Sequence, residues 1–271
     1  MSKEEKIVRL TVPELMAYKS RGEKISALTA YDALMAALLD ESGIDLILVG
    51  DSLGMVVAGK PNTLSVSLEQ MIYHSQIVSS AVKRAVVIAD MPFLTYQVSP
   101  TQAVENAGRI IKETEVQGVK LEGGREIAET VLRLVQIGIP VMGHLGLVPQ
   151  SIHKFGSYKL QGKDPETARR LKEDAQILQE AGVFSIVLEK IPAVLAEEIT
   201  GMLEIPTIGI GAGPACDGQI LVSQDMLGLF DKFKPRFVRR YAELARNIRQ
   251  AFTQYRDDVK NSRFPSAEES F

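Results

Sequence analysis

Val119-Lys120-Leu121-Glu122-Gly123-Gly124 reads as a short buried strand that ends in a cation and an anion. Side chains alternate faces along a strand, so Lys120 and Glu122 share one face while Leu121 takes the other. Burying both charges is costly unless they serve each other or a ligand. Three more apolar runs end in carboxylates: Ile47-Leu48-Val49-Gly50-Asp51, Val86-Val87-Ile88-Ala89-Asp90 and Ser185-Ile186-Val187-Leu188-Glu189. In a barrel of parallel strands all four acids meet at the carboxyl end, where such folds keep their active sites.

Working outward, the pattern alternates strand and helix along most of the chain. Thr11-Val12-Pro13-Glu14 predicts a capped helix with an early proline, running to about Gly22. Strands are expected at 24–29, 45–51, 85–90, 119–122, 140–144, 184–189, 206–211 and near 219–222. The second is almost wholly apolar, as suits a sheet covered on both faces. Two long loops, about 53–66 and 149–164, are candidates to carry function. Too few residues separate the last two strands for a full helix, so the seventh helix is expected to be reduced or missing. A long helical stretch from Phe237 to about Val259 closes the chain. Eight strands alternating with helices favour an α/β fold of the (β/α)8 TIM-barrel type over an open doubly wound sheet. Gly209-Ile210-Gly211-Ala212-Gly213 comes too late and opens no helix convincing enough for a dinucleotide fingerprint. Residues 1–260 are therefore read as one barrel domain, and 261–271 as a polar tail expected to be flexible.

The bulk properties narrow the function classes. A 271-residue chain that is 45% hydrophobic and 24% charged can bury a large core. A net charge of −3 argues against nucleic acid or an acidic membrane as the main partner. The single cysteine, Cys216, permits no intrachain disulfide. With no apolar run of spanning length, and a start (Met1-Ser2-Lys3-Glu4-Glu5-Lys6) unlike a signal peptide, this suggests a cytoplasmic protein.

Asp51, Asp90 and Glu122 come from successive strands, and carboxylates clustered in this way repel unless a cation resolves the charge. All-oxygen ligands favour a hard ion such as Mg²⁺; the plain alternative is that each acid only caps a loop. Lys120 could neutralise a substrate carboxylate or a developing enolate, or simply pair with a neighbouring acid. Ser52 offers a hydroxyl at the same mouth, though alone it reads as an ordinary turn serine. His144 ends a strand between glycines that let a ligand approach, or is structural. His74 and His153 carry little signal, and no Cys/His spacing suits zinc. Glu189 faces the acid group across the barrel, where a carboxylate could take a proton from carbon if burial raised its pKa; a salt bridge with Lys190 is the competing role.

These same residues carry a family resemblance. Thr29-Ala30-Tyr31-Asp32, Val49-Gly50-Asp51-Ser52-Leu53-Gly54-Met55 and Ala89-Asp90-Met91-Pro92-Phe93 resemble the ketopantoate hydroxymethyltransferase (3-methyl-2-oxobutanoate hydroxymethyltransferase) family. So do the Val119–Gly124 stretch, Gly143-His144-Leu145-Gly146-Leu147, Pro149-Gln150, Gly209–Gly213 and Cys216-Asp217-Gly218-Gln219. The matches run in family order from about residue 24 to 238. Ser223-Gln224-Asp225 departs from the pattern, which has a histidine before the aspartate.

The resemblance implies transfer of a hydroxymethyl unit from 5,10-methylenetetrahydrofolate to 3-methyl-2-oxobutanoate, giving 2-dehydropantoate on the way to pantothenate and coenzyme A. It implies that Asp51, Asp90 and Glu122 hold one Mg²⁺ per subunit, directly or through water. Asp51, Ser52, Asp90, Lys120 and His144 would contact the ketoacid, and Glu189 would be the proton acceptor. A Mg²⁺-stabilised enolate and a homo-oligomer, a decamer, follow from the same likeness. Two other readings stay open on the residues alone. One is a Mg²⁺-enolate barrel of the phosphoenolpyruvate mutase and isocitrate lyase type, for whose reactive cysteine loop Cys216 is misplaced. The other is a barrel retained as a ketoacid or folate sensor.

Overall fold

A computed structural model describes residues 8–231 and 234–271. The opening hexapeptide Met1–Lys6 lies outside them. Eight strands are parallel and close in chain order: β1 (Ile25–Thr29), β2 (Leu46–Val49), β3 (Val86–Asp90), β4 (Gly118–Glu122), β5 (Val141–Gly146), β6 (Ser185–Glu189), β7 (Thr207–Ile210) and β8 (Gly218–Leu221). The barrel closes where β8 pairs with β1, Ala27 opposite Ile220. This is the (β/α)8 fold that the alternating pattern predicts.

The strand period of two sorts the side chains. Ala27, Leu46, Leu48, Val86, Ile88, Met142, Val187, Ile208 and Ile220 form one buried cluster inside the barrel. Leu15, fully buried, joins it from the Val12–Arg21 helix. That helix begins as its sequence demands: the Thr11 hydroxyl accepts from Glu14 N, the Glu14 carboxylate accepts from Thr11 N, and Gly22 ends the helix at φ 68°. Leucine burial of this kind stabilises by roughly 1.5–3 kcal/mol. Continuing the inward phase one or two steps beyond the apolar layer brings up Asp90 on β3, Lys120 and Glu122 on β4, His144 on β5 and Glu189 on β6. The apolar layer therefore floors the polar one.

The connections differ from the expectation in detail. No helix separates Ile210 from Gly218, so the seventh helix is missing. The long loop after β2 contains a helical turn, Leu53–Val56, and the loop after β5 contains a 3-10 turn at Pro149–Ser151 and a short helix at Ile152–Phe155.

The described chain divides into two compact units between Val222 and Ser223, the first holding the whole barrel. In the second, the closing helix starts at Leu244, not at Phe237. The backbone there is engaged otherwise: Tyr241, Leu244 and Ala245 N–H groups donate to the carbonyls of Met226, Leu227 and Gly228. Residues 261–271 are exposed and include a 3-10 turn at Ala267–Glu269. Among the described residues no helix is long and apolar enough to cross a membrane.

Candidate active site

Strand register aligns the charged side chains. Asp90 pairs directly with Lys120 across β3 and β4, and Glu122 with His144 across β4 and β5. The Lys120 ammonium lies 2.7 Å from Asp90 Oδ1 and 3.3 Å from His144 Nδ1. His144 sits between two acids, with Nδ1 3.5 Å from Glu122 Oε1 and Nε2 3.3 Å from Glu189 Oε2. The second contact has the distance of an ion pair without the alignment of a hydrogen bond. One chain of contacts thus runs around the inner wall from β3 to β6. Its members are buried, apart from a partly exposed Glu189.

Asp51 is out of step with that pattern. Leu46 and Leu48 point inward, so the next inward position on β2 is Gly50, and Asp51 follows it. A turn recovers the carboxylate: Asp51 N donates to Asp90 Oδ2 at 2.9 Å, and Gly54 N donates to Asp51 O at 3.0 Å. A Cβ at position 50 would lie 2.7 Å from Ser52 Oγ and 3.4 Å from Asp90 Oδ2, so a larger residue there would displace the Ser52 hydroxyl. Ser52 is half-buried, and its hydroxyl meets the Tyr31 hydroxyl at 2.7 Å. On the far side, Gly146 at φ 94° lets β5 and β6 close up. A Cβ there would stand 2.2 Å from Glu189 O, the atom that accepts from Leu147 N.

Three residues to which sequence reasoning gave no role complete the arrangement. Gln150, in the turn after β5, donates through Nε2 to Asp51 Oδ2 and through its main-chain N to Glu122 Oε2, both at 2.9 Å. Tyr96, fully buried, meets Gln150 Oε1 at 2.8 Å. Tyr31 holds Ser52. Gln150 and Tyr31 lie within the family-like motifs, which was the one available signal for them; Tyr96 had none.

The electrostatics follow from burial and crowding. Burial, together with the charges of Asp90 and Glu122, pushes the Asp51 carboxyl well above the usual carboxylate range. Burial would lower the Lys120 ammonium, but Asp90, Glu122 and Asp51 outweigh it and keep the group cationic. Burial would likewise raise Glu122; hydrogen bonding and charge from His144, with Lys120 and the Gln150 amide, hold it below its ordinary value. Burial and Lys120 oppose protonation of His144, yet Glu122 and Glu189 raise it to about 9.

A pH dependence follows for the metal-free protein. The folded His144 value lies above the ordinary 6.5, so its stabilisation is fully present below about pH 6.5 and is lost as pH rises through about 9. Asp51, also raised, contributes with the same sign; Glu122, lowered, acts only at the acid end. Thermal melts in chelator are expected to move down across that window, His144 alone contributing on the order of 3 kcal/mol. A melting temperature that is flat or rising from pH 6.5 to 9 would contradict this.

Among the described residues no group of three His, Cys, Asp or Glu side chains is gathered closely enough to hold a metal ion alone.

Comparison with known proteins follows the same residues. The family model described as ketopantoate hydroxymethyltransferase matches residues 9–267. Similar chains include a 3-methyl-2-oxobutanoate hydroxymethyltransferase of Chlorobaculum tepidum, 57% identical over 270 residues and covering 98% of both chains. Another of that name, from Syntrophus aciditrophicus, is 54% identical over all of both chains. Among solved structures, phosphonopyruvate hydrolase complexed with oxalate and Mg²⁺ superposes with a TM-score of 0.65 at 13% identity, covering 96% of this chain and 93% of that one. A 2,3-dimethylmalate lyase of the phosphoenolpyruvate mutase/isocitrate lyase superfamily gives 0.62 at 17%, covering 93% and 90%. At such identities these two speak for the barrel alone.

Proposed function

The chain belongs to the ketopantoate hydroxymethyltransferase family, and from that premise we propose that it transfers a hydroxymethyl group from 5,10-methylenetetrahydrofolate to 3-methyl-2-oxobutanoate. The product is 2-dehydropantoate, and the step leads toward pantothenate and coenzyme A. The observation that carries this reading is the contact chain Asp90–Lys120–His144–Glu189. It joins a buried cation to a partly exposed carboxylate through one imidazole.

The donor chemistry, rather than a ready-gathered cluster, fits a hard divalent cation. Asp51, Asp90 and Glu122 offer only oxygen, and their mutual repulsion is what a cation would relieve. Mg²⁺ usually takes one or two carboxylates and keeps waters, and Asp51, Asp90 and Glu122 would hold it directly or through water. When bound, it would supply Lewis-acid polarisation of the 2-oxo group, acidifying the neighbouring C3–H.

The chain's own groups do the rest. Lys120, kept cationic by its acids, offsets negative charge on the ketoacid oxygens, with Ser52 and His144 as further contacts. Glu189 accepts the C3 proton, and His144 beside it stabilises the carboxylate in the position from which it acts. C3 then bonds to the methylene carbon carried by the folate, the carbon–nitrogen bonds to the carrier break, and water supplies the hydroxyl oxygen. The folate contributes one-carbon chemistry that no side chain offers. A ring-built decamer and a cytoplasmic setting belong to the same reading. Support comes from Phe252, Tyr255 and Val259, apolar and exposed on one helix, and from Cys216 as a lone buried thiol.

The test is a product assay of 3-methyl-2-oxobutanoate with Mg²⁺, run with and without 5,10-methylenetetrahydrofolate. The reading expects 2-dehydropantoate only when the folate is present. Ketoacid turnover that ignores the folate would point instead to mutase or lyase chemistry.

A further inference from the structure

Gln150 is 6% exposed, and both polar atoms of its side chain and its main-chain N are hydrogen-bonded. Nε2 donates to Asp51 Oδ2 and to Met91 O, both at 2.9 Å. Oε1 accepts from the Tyr96 hydroxyl at 2.8 Å and from Gln97 Nε2 at 3.1 Å. The main-chain N donates to Glu122 Oε2 at 2.9 Å. Met91 O can only accept, which settles the direction of the amide. The Tyr96 hydroxyl in turn accepts from Glu122 N at 3.0 Å, so one tyrosine ties the end of β4 to the same amide. Nothing in the Gln150 side chain is chemically reactive. Its contacts instead reach two acids from either side of β3, the strand that carries Asp90.

We infer that Gln150 is a positioning residue, whose side-chain and main-chain amides lock the Asp51 and Glu122 carboxylates into the arrangement that binds a divalent cation. Tyr96 fixes the amide plane and also meets the Glu122 main chain itself. A fully satisfied buried network specifies one geometry, whereas an unanchored Asp51, crowded by like charge, would swing toward solvent. The residue also gives the loop after β5 a stake in the site: Gln150 lies in its first turn, so the loop trace and the acid geometry are set together. The inference rests on the metal role proposed above and assigns its second layer.

Calorimetric Mg²⁺ titration of the full-length chain tests this, using wild type, Gln150→Met, Tyr96→Phe and the double variant, each with a thermal melt. Methionine keeps length without donors and leaves the main-chain bond to Glu122 intact. Gln150→Met is expected to weaken Mg²⁺ binding by about 10- to 100-fold, the usual cost of losing an outer-shell partner. Tyr96→Phe, which deletes a single oxygen and serves if Gln150→Met fails to fold, should weaken it less. The double variant should lose less than the sum of the two single losses, because the two residues share one hydrogen bond. Variants that melt lower yet bind Mg²⁺ as tightly as wild type would reduce Gln150 to a structural role and overturn the inference. Additive losses in the double variant would overturn the coupling of Tyr96 to Gln150. Wild-type chain that binds no Mg²⁺ would defeat the metal reading and the inference with it; normal wild-type binding with unchanged variants defeats the inference alone.

Discussion

Replacing Glu189 with glutamine is expected to lower hydroxymethyl transfer and C3 proton exchange in parallel, by about 10² to 10⁴, the usual worth of a positioned base. Glutamine keeps the shape of the side chain and a carbonyl oxygen within reach of His144 Nε2, but it cannot accept the proton. Mg²⁺ and ketoacid binding at Asp51, Asp90 and Lys120 should survive, since Glu189 touches none of them directly and reaches them only through His144. One of the two acids that hold His144 protonated would be gone, so its value should move down from about 9. If Glu189 were only a structural partner, the variant would melt lower while its folded fraction exchanged normally. Wild-type exchange rates in a stably folded Glu189→Gln protein would therefore remove Glu189 from the chemistry.

Asp51→Asn and Asp90→Asn are both expected to lose Mg²⁺ affinity by at least about 10²-fold, more than an outer-shell change costs. Their stabilities should separate them. Asp51 is crowded by like charge, so neutralising it relieves repulsion, and metal-free Asp51→Asn should melt no lower than wild type at pH 8. Asp90 is the closest counter-ion of a buried ammonium, 2.7 Å away. Breaking such a pair typically costs about 3–5 kcal/mol, eased here because Glu122 and Asp51 still face Lys120. Asp90→Asn should stay folded yet melt measurably lower. Mg²⁺ titrations that match wild type in both variants would exclude these acids as ligands.

The barrel was legible because its signal is periodic. Four apolar strands ending in charge, with inward residues every second position, predict both the closed sheet and the end at which the charges meet. Lys120, Glu122, His144 and Glu189 fell where that alternation put them. Asp51 did not: Gly50 occupies the inward phase, and only the turn that follows recovers the carboxylate. The contact from Gln150 to Asp51 joins residues 99 apart through a loop trace that no periodicity encodes. Tyr96 lies in an irregular segment for the same reason. His144 was readable as a strand-end histidine, whereas its place between two acids depends on side-chain geometry. The closing helix began later than its apolar pattern, because the preceding backbone hydrogen-bonds to residues 226–228. Local patterning foretold the elements, and the long-range polar contacts needed the folded chain.

The central claim is that the barrel mouth removes a proton from C3 of a 2-oxo acid. Its most direct test is a proton NMR time course of 3-methyl-2-oxobutanoate in deuterium oxide with wild-type protein and Mg²⁺, without folate. Progressive loss of the C3–H signal and collapse of the methyl doublet are expected, at a rate that depends on both protein and Mg²⁺. A C3–H signal that persists unchanged, from protein that still makes 2-dehydropantoate once folate is added, would contradict it.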